Sequence, residues 1–302
     1  APALLPRFRY DQAAGMKTLF DTAWTLSKDA ARIFSQRGAR LMSGSVAFYA
    51  LVSVVPMLVI ALELAALFVD ESQARSAVSS ELERWVGPSG AATIVSLVRA
   101  VRSQPHSGIT SVIGTLILAY ASTRLFSQLT TALDLLWETP PEPEATSFGE
   151  RVRRQIARRG LAFSMVLLVG ILLTATVLLH GVLATGRRVP GFDAPISRLI
   201  EAPVSLLLTS LLFAAMFRLL PRAQVKLLDA LVGGAVTSVL FTAGSLVVSA
   251  YIARRDTSVY GAAASLVVLL LWMHYCAQAF FLGAAFTAAH ARRRDLLANA
   301  EG

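Results

Sequence analysis

The chain has 302 residues, 55% apolar and 16% charged, with a net charge of +9 and a mean hydropathy of +0.60. Soluble domains are about a quarter charged, so this composition argues against an ordinary globular enzyme. A single cysteine, Cys276, excludes a disulfide framework or a multi-cysteine metal site, and four scattered histidines supply no metal cluster.

In chain order, the first predicted element is an amphipathic helix over residues 16–41. Leu19, Phe20, Ala23, Trp24, Ala30, Ala31, Ile33, Phe34 and Leu41 recur at three- and four-residue steps. Lys17, Asp21, Lys28, Asp29 and Arg32 take the other side. Trp24 and the cations suit a cytoplasmic lipid interface, and packing beneath a helical bundle is the equal alternative. No nucleic-acid module is visible, because neither an aromatic-studded strand pair nor a recognition helix can be read. Nucleic acid is therefore not an expected partner.

Six apolar blocks follow, at 44–69, 108–137, 160–184, 200–220, 230–252 and 261–290. A helix needs about 20 such residues to cross a ~30 Å hydrocarbon layer. Soluble core helices keep a polar face, and these blocks mostly do not. The first begins only at Gly44 and the pattern recurs five times, unlike a signal peptide. The expectation is an all-α polytopic membrane protein of six transmembrane helices. Block two is read as one helix running to Trp137, closed by the stiff linker TPPEPE from Thr139. Between blocks one and two, a helical outer cap is predicted as two amphipathic helices broken at Gly87-Pro88, with Ser89 capping the second. Val78 and Leu82 lie on the apolar face of the first, Ile94 and Val98 on that of the second.

Lys and Arg set the orientation. With a cytoplasmic N-terminus, eighteen fall inside: seven up to Arg40, five from Arg151 to Arg159, then Arg218, Arg222, Lys226, Arg292, Arg293 and Arg294. Nine fall outside, and Arg124 lies within block two. The reading is a cytoplasmic segment 1–43 with its interfacial helix, a transmembrane domain 44–290 and a cytoplasmic tail 291–302. The positive charge thereby becomes topology, and membrane lipids become the expected partners.

Ionisable residues at membrane depth are the best functional pointers. Glu63 sits near the outer end of block one, and Arg124 near the middle of block two. Their depths differ by on the order of 10 Å at helical rise, which disfavours a direct ion pair. Each could instead snorkel to its own interface. Asp134 is either functional or an interfacial anchor beside Trp137. Block one adds Tyr49, Ser53 and Pro56. Proline frees the Val52 carbonyl, and Ser53 can repair that gap locally. In block five, Gly234 and Ser238 form a small-xxx-small pair suited to close helix approach. Block six holds His274 and Gln278, where the histidine either relays protons or is simply hydrogen-bonded. No motif for hydrolysis, phosphate binding or metal catalysis is present. The expectation is a non-enzyme without cofactor, with oligomeric state open.

Four ordered stretches resemble the YihY/BrkB family of bacterial inner-membrane proteins. They are AFYALVSVVPML (47–58), TTALDLLW (130–137), FRLLP (217–221) with LLDALVGGAV (227–236), and SVYGAAASLVVLLLWMHYCAQAFFLGAAF (258–286). The resemblance covers roughly residues 25–290. It implies a six-helix bundle with cytoplasmic termini, no required cofactor and an association with virulence. The family's former label as ribonuclease BN is regarded as mistaken. Two positions depart from the family pattern: Ala285 stands where an acidic residue is usual, and Asp134 where an asparagine is usual. The expected function is a transporter or exporter of a lipid-like or ionic solute. Tyr49, Ser53, Glu63, Arg124, His274 and Gln278 would line the path, with Glu63 or His274 exchanging a proton or cation and Arg124 holding an anionic group. The alternative is a non-transporting scaffold or envelope assembly factor.

Overall fold

The computed structural model describes residues 8–65, 108–140, 194–253 and 261–300, scattered positions between 70 and 99, and residues 147, 149, 153 and 160. The predicted block 160–184 lies outside them beyond Gly160, as do Gly87-Pro88, Ser89 and the side chains of Pro56 and Glu63. Among the described residues the fold is all-helical: α1 (Phe8–Gln36), α2 (Ala39–Ala65), α3 (Gly108–Leu136), α4 (Ala194–Leu219), α5 (Leu227–Ala253) and α6 (Gly261–Ala300). Two stretches, Leu227–Val247 and Leu269–Leu296, have the length and apolarity to cross a membrane, and Pro203–Leu219 is a shorter apolar helix.

The predicted helix 16–41 is in fact two helices. Gly38 adopts φ +70°, a left-handed conformation that costs glycine nothing and ends α1. The amides of Leu41 and Met42 then bond the Gly38 carbonyl and start α2. Leu41 therefore belongs to α2, and it is 82% exposed rather than part of the α1 apolar face. That face consists of Leu26, Ala30 and Ile33, all buried against α6. Trp24 points the other way with its ring exposed and the Lys28 ammonium 5.0 Å from the ring centroid. The same helix thus packs under the bundle and presents an aromatic–cationic stripe outward.

The end of α3 has a different solution. Glu138 takes φ +53°, the amide of Thr139 bonds the Asp134 carbonyl at 2.9 Å, and that of Glu138 bonds Leu135 at 3.3 Å. This is a Schellman stop with glutamate where glycine is usual. The left-handed backbone costs a non-glycine residue about 1–2 kcal/mol. The Glu138 carboxylate pairs with Arg37 and, at 3.2 Å, with Arg292.

α6 is the spine. It packs along α1, α2 and α5 and touches α3 and α4, while α2 lies on α3 and α4 on α5. Small residues allow this crowding: Ala277, Ala284, Ala285, Ala288 and Ala289 are buried on its faces. The α5–α6 crossing is reciprocal. A methyl group at Gly233 would overlap Thr287, and one at Gly283 would overlap Thr237. Each threonine in turn donates to the glycine carbonyl one turn back on its own helix, Thr237 to Gly233 at 2.7 Å and Thr287 to Gly283 at 2.8 Å. The hydroxyls are thereby satisfied at a dry contact, where an unbonded one would be costly. The next glycine, Gly234, meets Ser210 and Ala214 of α4. Ser238 donates to the Leu206 carbonyl across the same seam at 3.0 Å. Phe213, Phe217, Phe241, Phe280 and Trp272 fill the space between the three helices as a chain of tilted rings.

Gly283→Ala is expected to lower stability by about 1–3 kcal/mol, the usual cost of overpacking a tight contact, read as a reduced thermal midpoint in detergent. Adding Thr237→Ala should recover part of the loss. An unchanged midpoint in the single variant would contradict the reciprocal crossing.

Candidate functional site

Charged side chains of the bundle collect at one end of it. Asp134, in the last turn of α3, is buried and is held by the bend between α4 and α5. The Arg222 amide donates to its Oδ1 at 2.9 Å and Arg222 Nε to its Oδ2 at 2.7 Å. Asp229, in the first turn of α5, is fully buried, where the partial positive charge of a helix N-terminus favours a carboxylate. His290 Nδ1 donates to its Oδ1 at 2.9 Å, and Arg294, one turn further along α6, pairs with its Oδ2. Arg293 reaches the Thr22 carbonyl and hydroxyl of α1 at 3.4 and 3.3 Å. With Glu138 bridging Arg37 and Arg292, these contacts tie α1, α3, α5 and α6 together around the α4–α5 bend. Near them, three buried polar atoms lack a protein partner: Thr130 Oγ1, Trp137 Nε1 and Thr139 Oγ1.

A second cluster lies toward the other end of α6. Ile94 and Val98 are buried against Leu269 and Trp272, with Val78, Leu82, Leu51 and Phe241 packed around them. The residues read as the inward faces of the predicted outer helices are those that make this contact. From Leu269 to His290 is on the order of 30 Å along the helix at 1.5 Å per residue, about the thickness of a bilayer's hydrocarbon layer.

Between the two ends lie the sequence-nominated residues. Arg124 is ten residues from Asp134 along α3, or about 15 Å. It is exposed, as is Tyr120 one turn before it at 58%. Arg124 Nε donates to the Tyr120 hydroxyl at 3.3 Å, and the guanidinium lies 5.4 Å from the ring centroid. No carboxylate pairs with Arg124 among the described residues. Tyr49 of α2 is half-buried and stacks edge-on with Phe48. Ser53 is buried and donates to the Ala50 carbonyl at 3.1 Å. Its hydroxyl is therefore not spent on the Val52 carbonyl freed by Pro56, contrary to the expected repair.

His274 and Gln278 face each other one turn apart on α6, at 2.8 Å. With the amide nitrogen donating, Nε2 of His274 must be the unprotonated ring atom. Tyr275, beside them, donates to the Leu240 carbonyl of α5 at 2.6 Å, over the gap left by Gly244. Among the described residues no hydrogen bond or ion pair joins His274 to Arg124. The structure thus brings Tyr120 to Arg124 and His274 to Gln278, while Asp134 stands apart in the charged end. Sequence reading missed Tyr120, Arg222, Asp229 and Glu138. The spacing of Tyr120 from Arg124 was a readable signal, and so was a carboxylate in the first turn of α5. Nothing local pairs Arg222 with Asp134, 88 residues away.

Among the described residues, an all-helical fold with two stretches long and apolar enough to cross a membrane fits a helical membrane protein. The family described as virulence factor BrkB matches residues 30–302, and the chain belongs to this YihY/BrkB family. It is 27% identical over 262 residues to a UPF0761 membrane protein of Nitrosospira multiformis, covering 84% of this chain and 58% of that protein. A UPF0761 membrane protein of Vibrio vulnificus is 26% identical over 257 residues, 83% of this chain and 77% of its own length. A third, from Aromatoleum aromaticum, is 26% identical over 251 residues, 82% and 59%. The chain therefore spans somewhat under two thirds of the first of these and of the third. No solved structure matches.

Asp229→Ala is expected to lower stability by about 1–3 kcal/mol, because it removes the buried acceptor of His290 and Arg294, while Arg294 keeps its pair with Asp295. Thermal unfolding in detergent checks it, and a midpoint like that of the parent protein would contradict the assignment.

Proposed function

We propose that this protein is a transporter or exporter of a lipid-like or ionic solute. It is read as a non-enzyme in the bacterial inner membrane, with six spans and both termini in the cytoplasm. The distribution of Lys and Arg supports the orientation, since the charged end of the bundle is then the cytoplasmic one. The predicted cap between the first two spans then sits on the periplasmic side, over the outer half of α6. The solute path runs beside α2, α3 and α6, where Tyr49, Ser53, Arg124, His274 and Gln278 reside. Glu63 belongs to the same proposal.

The observation that carries this reading is Arg124. A charged side chain at the centre of a membrane helix costs about 2.5–3.5 kcal/mol even on insertion-based scales. A scaffold gains nothing from that cost, whereas a solute path uses a fixed cation to hold an anionic group. The second reading, an assembly factor, draws on the outward stripe of Trp24, Lys28 and Arg32 on α1, which would serve as a docking surface.

Reconstituted vesicles test the proposal. With the parent protein, trapped inorganic anion should leave the vesicles, or a labelled anionic lipid should change leaflet, faster than in protein-free controls. Arg124→Gln should slow that movement at least about tenfold, because the variant loses a charge-assisted hydrogen bond to the anionic group. If the correctly inserted parent protein moves neither probe, the transport reading fails. If the Arg124→Gln variant moves one at the parent rate, Arg124 has no part in the path.

A further inference from the structure

The geometry points to an oxyanion-binding site formed by Arg124 and Tyr120, open sideways to the bilayer, whose ligand is the phosphate or carboxylate of an anionic amphiphile. We infer this from how the donors are already committed. The Nε–H of Arg124 is used by the Tyr120 oxygen at 3.3 Å. That bond fixes the plane of the guanidinium and leaves its Nη edge, the edge that binds an oxyanion through two parallel hydrogen bonds, without a carboxylate among the described residues. The Tyr120 oxygen is an acceptor in this pair, so its own proton is free to be donated to a ligand.

The approach is lateral because of which side chains share the face. Leu116, Tyr120 and Arg124 follow one another at four-residue steps, and all three are exposed. Ser127 and Thr131 continue the exposed side of α3 toward its charged end. An isolated soluble ion would have to enter this face without its water. An amphiphile instead keeps its chains beside Leu116 in hydrocarbon while its head group slides along the polar stripe. This assignment rests on the mid-depth reading of α3 used for the transport proposal, but binding and movement are separately measurable.

The test is native mass spectrometry of the full chain released from vesicles made of equal parts phosphatidylcholine and phosphatidylglycerol. The parent protein should retain phosphatidylglycerol in preference to phosphatidylcholine. Arg124→Gln should lose at least about fivefold of that preference, Tyr120→Phe about two- to threefold, and Arg124→Lys should fall between the parent and Arg124→Gln because a point charge lacks the fork. Adding inorganic phosphate at millimolar levels distinguishes sources of the same chemistry. Displacement of the lipid makes the ligand a free oxyanion, and retention makes it a head group. Parent-like retention by both Arg124→Gln and Tyr120→Phe would overturn the site. So would loss of a dimer mass in Arg124→Gln with lipid retention unchanged, since that would assign the stripe to a second copy of the chain. Should Arg124→Gln fail to fold, Tyr120→Phe keeps the test decisive. Selective retention without any flux would leave this site standing while removing the transport reading.

Discussion

A hydrocarbon layer does not tolerate unpaired charge, and the placement of charge in this bundle follows from that constraint. Asp134, Glu138, Arg222, Asp229, His290, Arg292, Arg293 and Arg294 are drawn to one level, where each finds a partner from a different part of the chain. The carboxylates most deeply buried, Asp134 and Asp229, are the ones with two hydrogen bonds each. The level is also where the chain turns, at Gly38, at Glu138 and across residues 220–226. Pairing and turning coincide because irregular backbone, like charge, needs polar partners that hydrocarbon cannot provide.

Above that level the described helices are held by dispersion, by local hydrogen bonds and by neutral ones between helices, from Ser238 to Leu206 and from Tyr275 to Leu240. The sequence meets this with small residues on α5 and α6 rather than with a large apolar core, since lipid tails are as apolar as leucine. Gly233 and Gly234 face two different neighbours, α6 and α4, so one pair of adjacent glycines fixes the spacing of three helices. Large aliphatic residues also face outward: Leu207, Val239, Leu246, Val247, Val267 and Leu271 are all exposed. In a soluble protein that distribution would be an aggregation hazard.

Much of the helical layout was legible because hydropathy and breaker residues act locally. The helix starting at Gly108 ends at Leu136, one residue short of the predicted Trp137, and block five is extended by only a few residues. Four things were not legible. The stop at Gly38 looked like a helix interior, because a single glycine is compatible with either. Periodicity placed Trp24 on the α1 apolar face and overlooked Leu26, because an amphipathic tryptophan fits either side of a helix at an interface. α6 runs past the predicted end at His290 to Ala300, since its charged last turns pack on α1 and α5 rather than becoming a tail. The role of Asp134 as an anchor depended on Arg222, and pairings across most of the chain are set by the tertiary fold.

Within the candidate site, the individual residues were legible and their grouping was not. Arg124 was visible as an exception to the charge rule, yet the tyrosine that orients it, Tyr120, was not read with it, although it stands one turn before it on the same helix. Its depth and its open face carry the functional account, so they call for the most direct measurement. A nitroxide on a single cysteine at position 124, in a Cys276→Ala background and reconstituted in vesicles, reports both by its collisions with oxygen and with a water-soluble nickel chelate. Oxygen should dominate at 124, at about 15 Å from the head-group level, while a label at 135 should report the head-group region. Free access of the nickel chelate to position 124, or a head-group depth there, would contradict a mid-membrane site open to the bilayer.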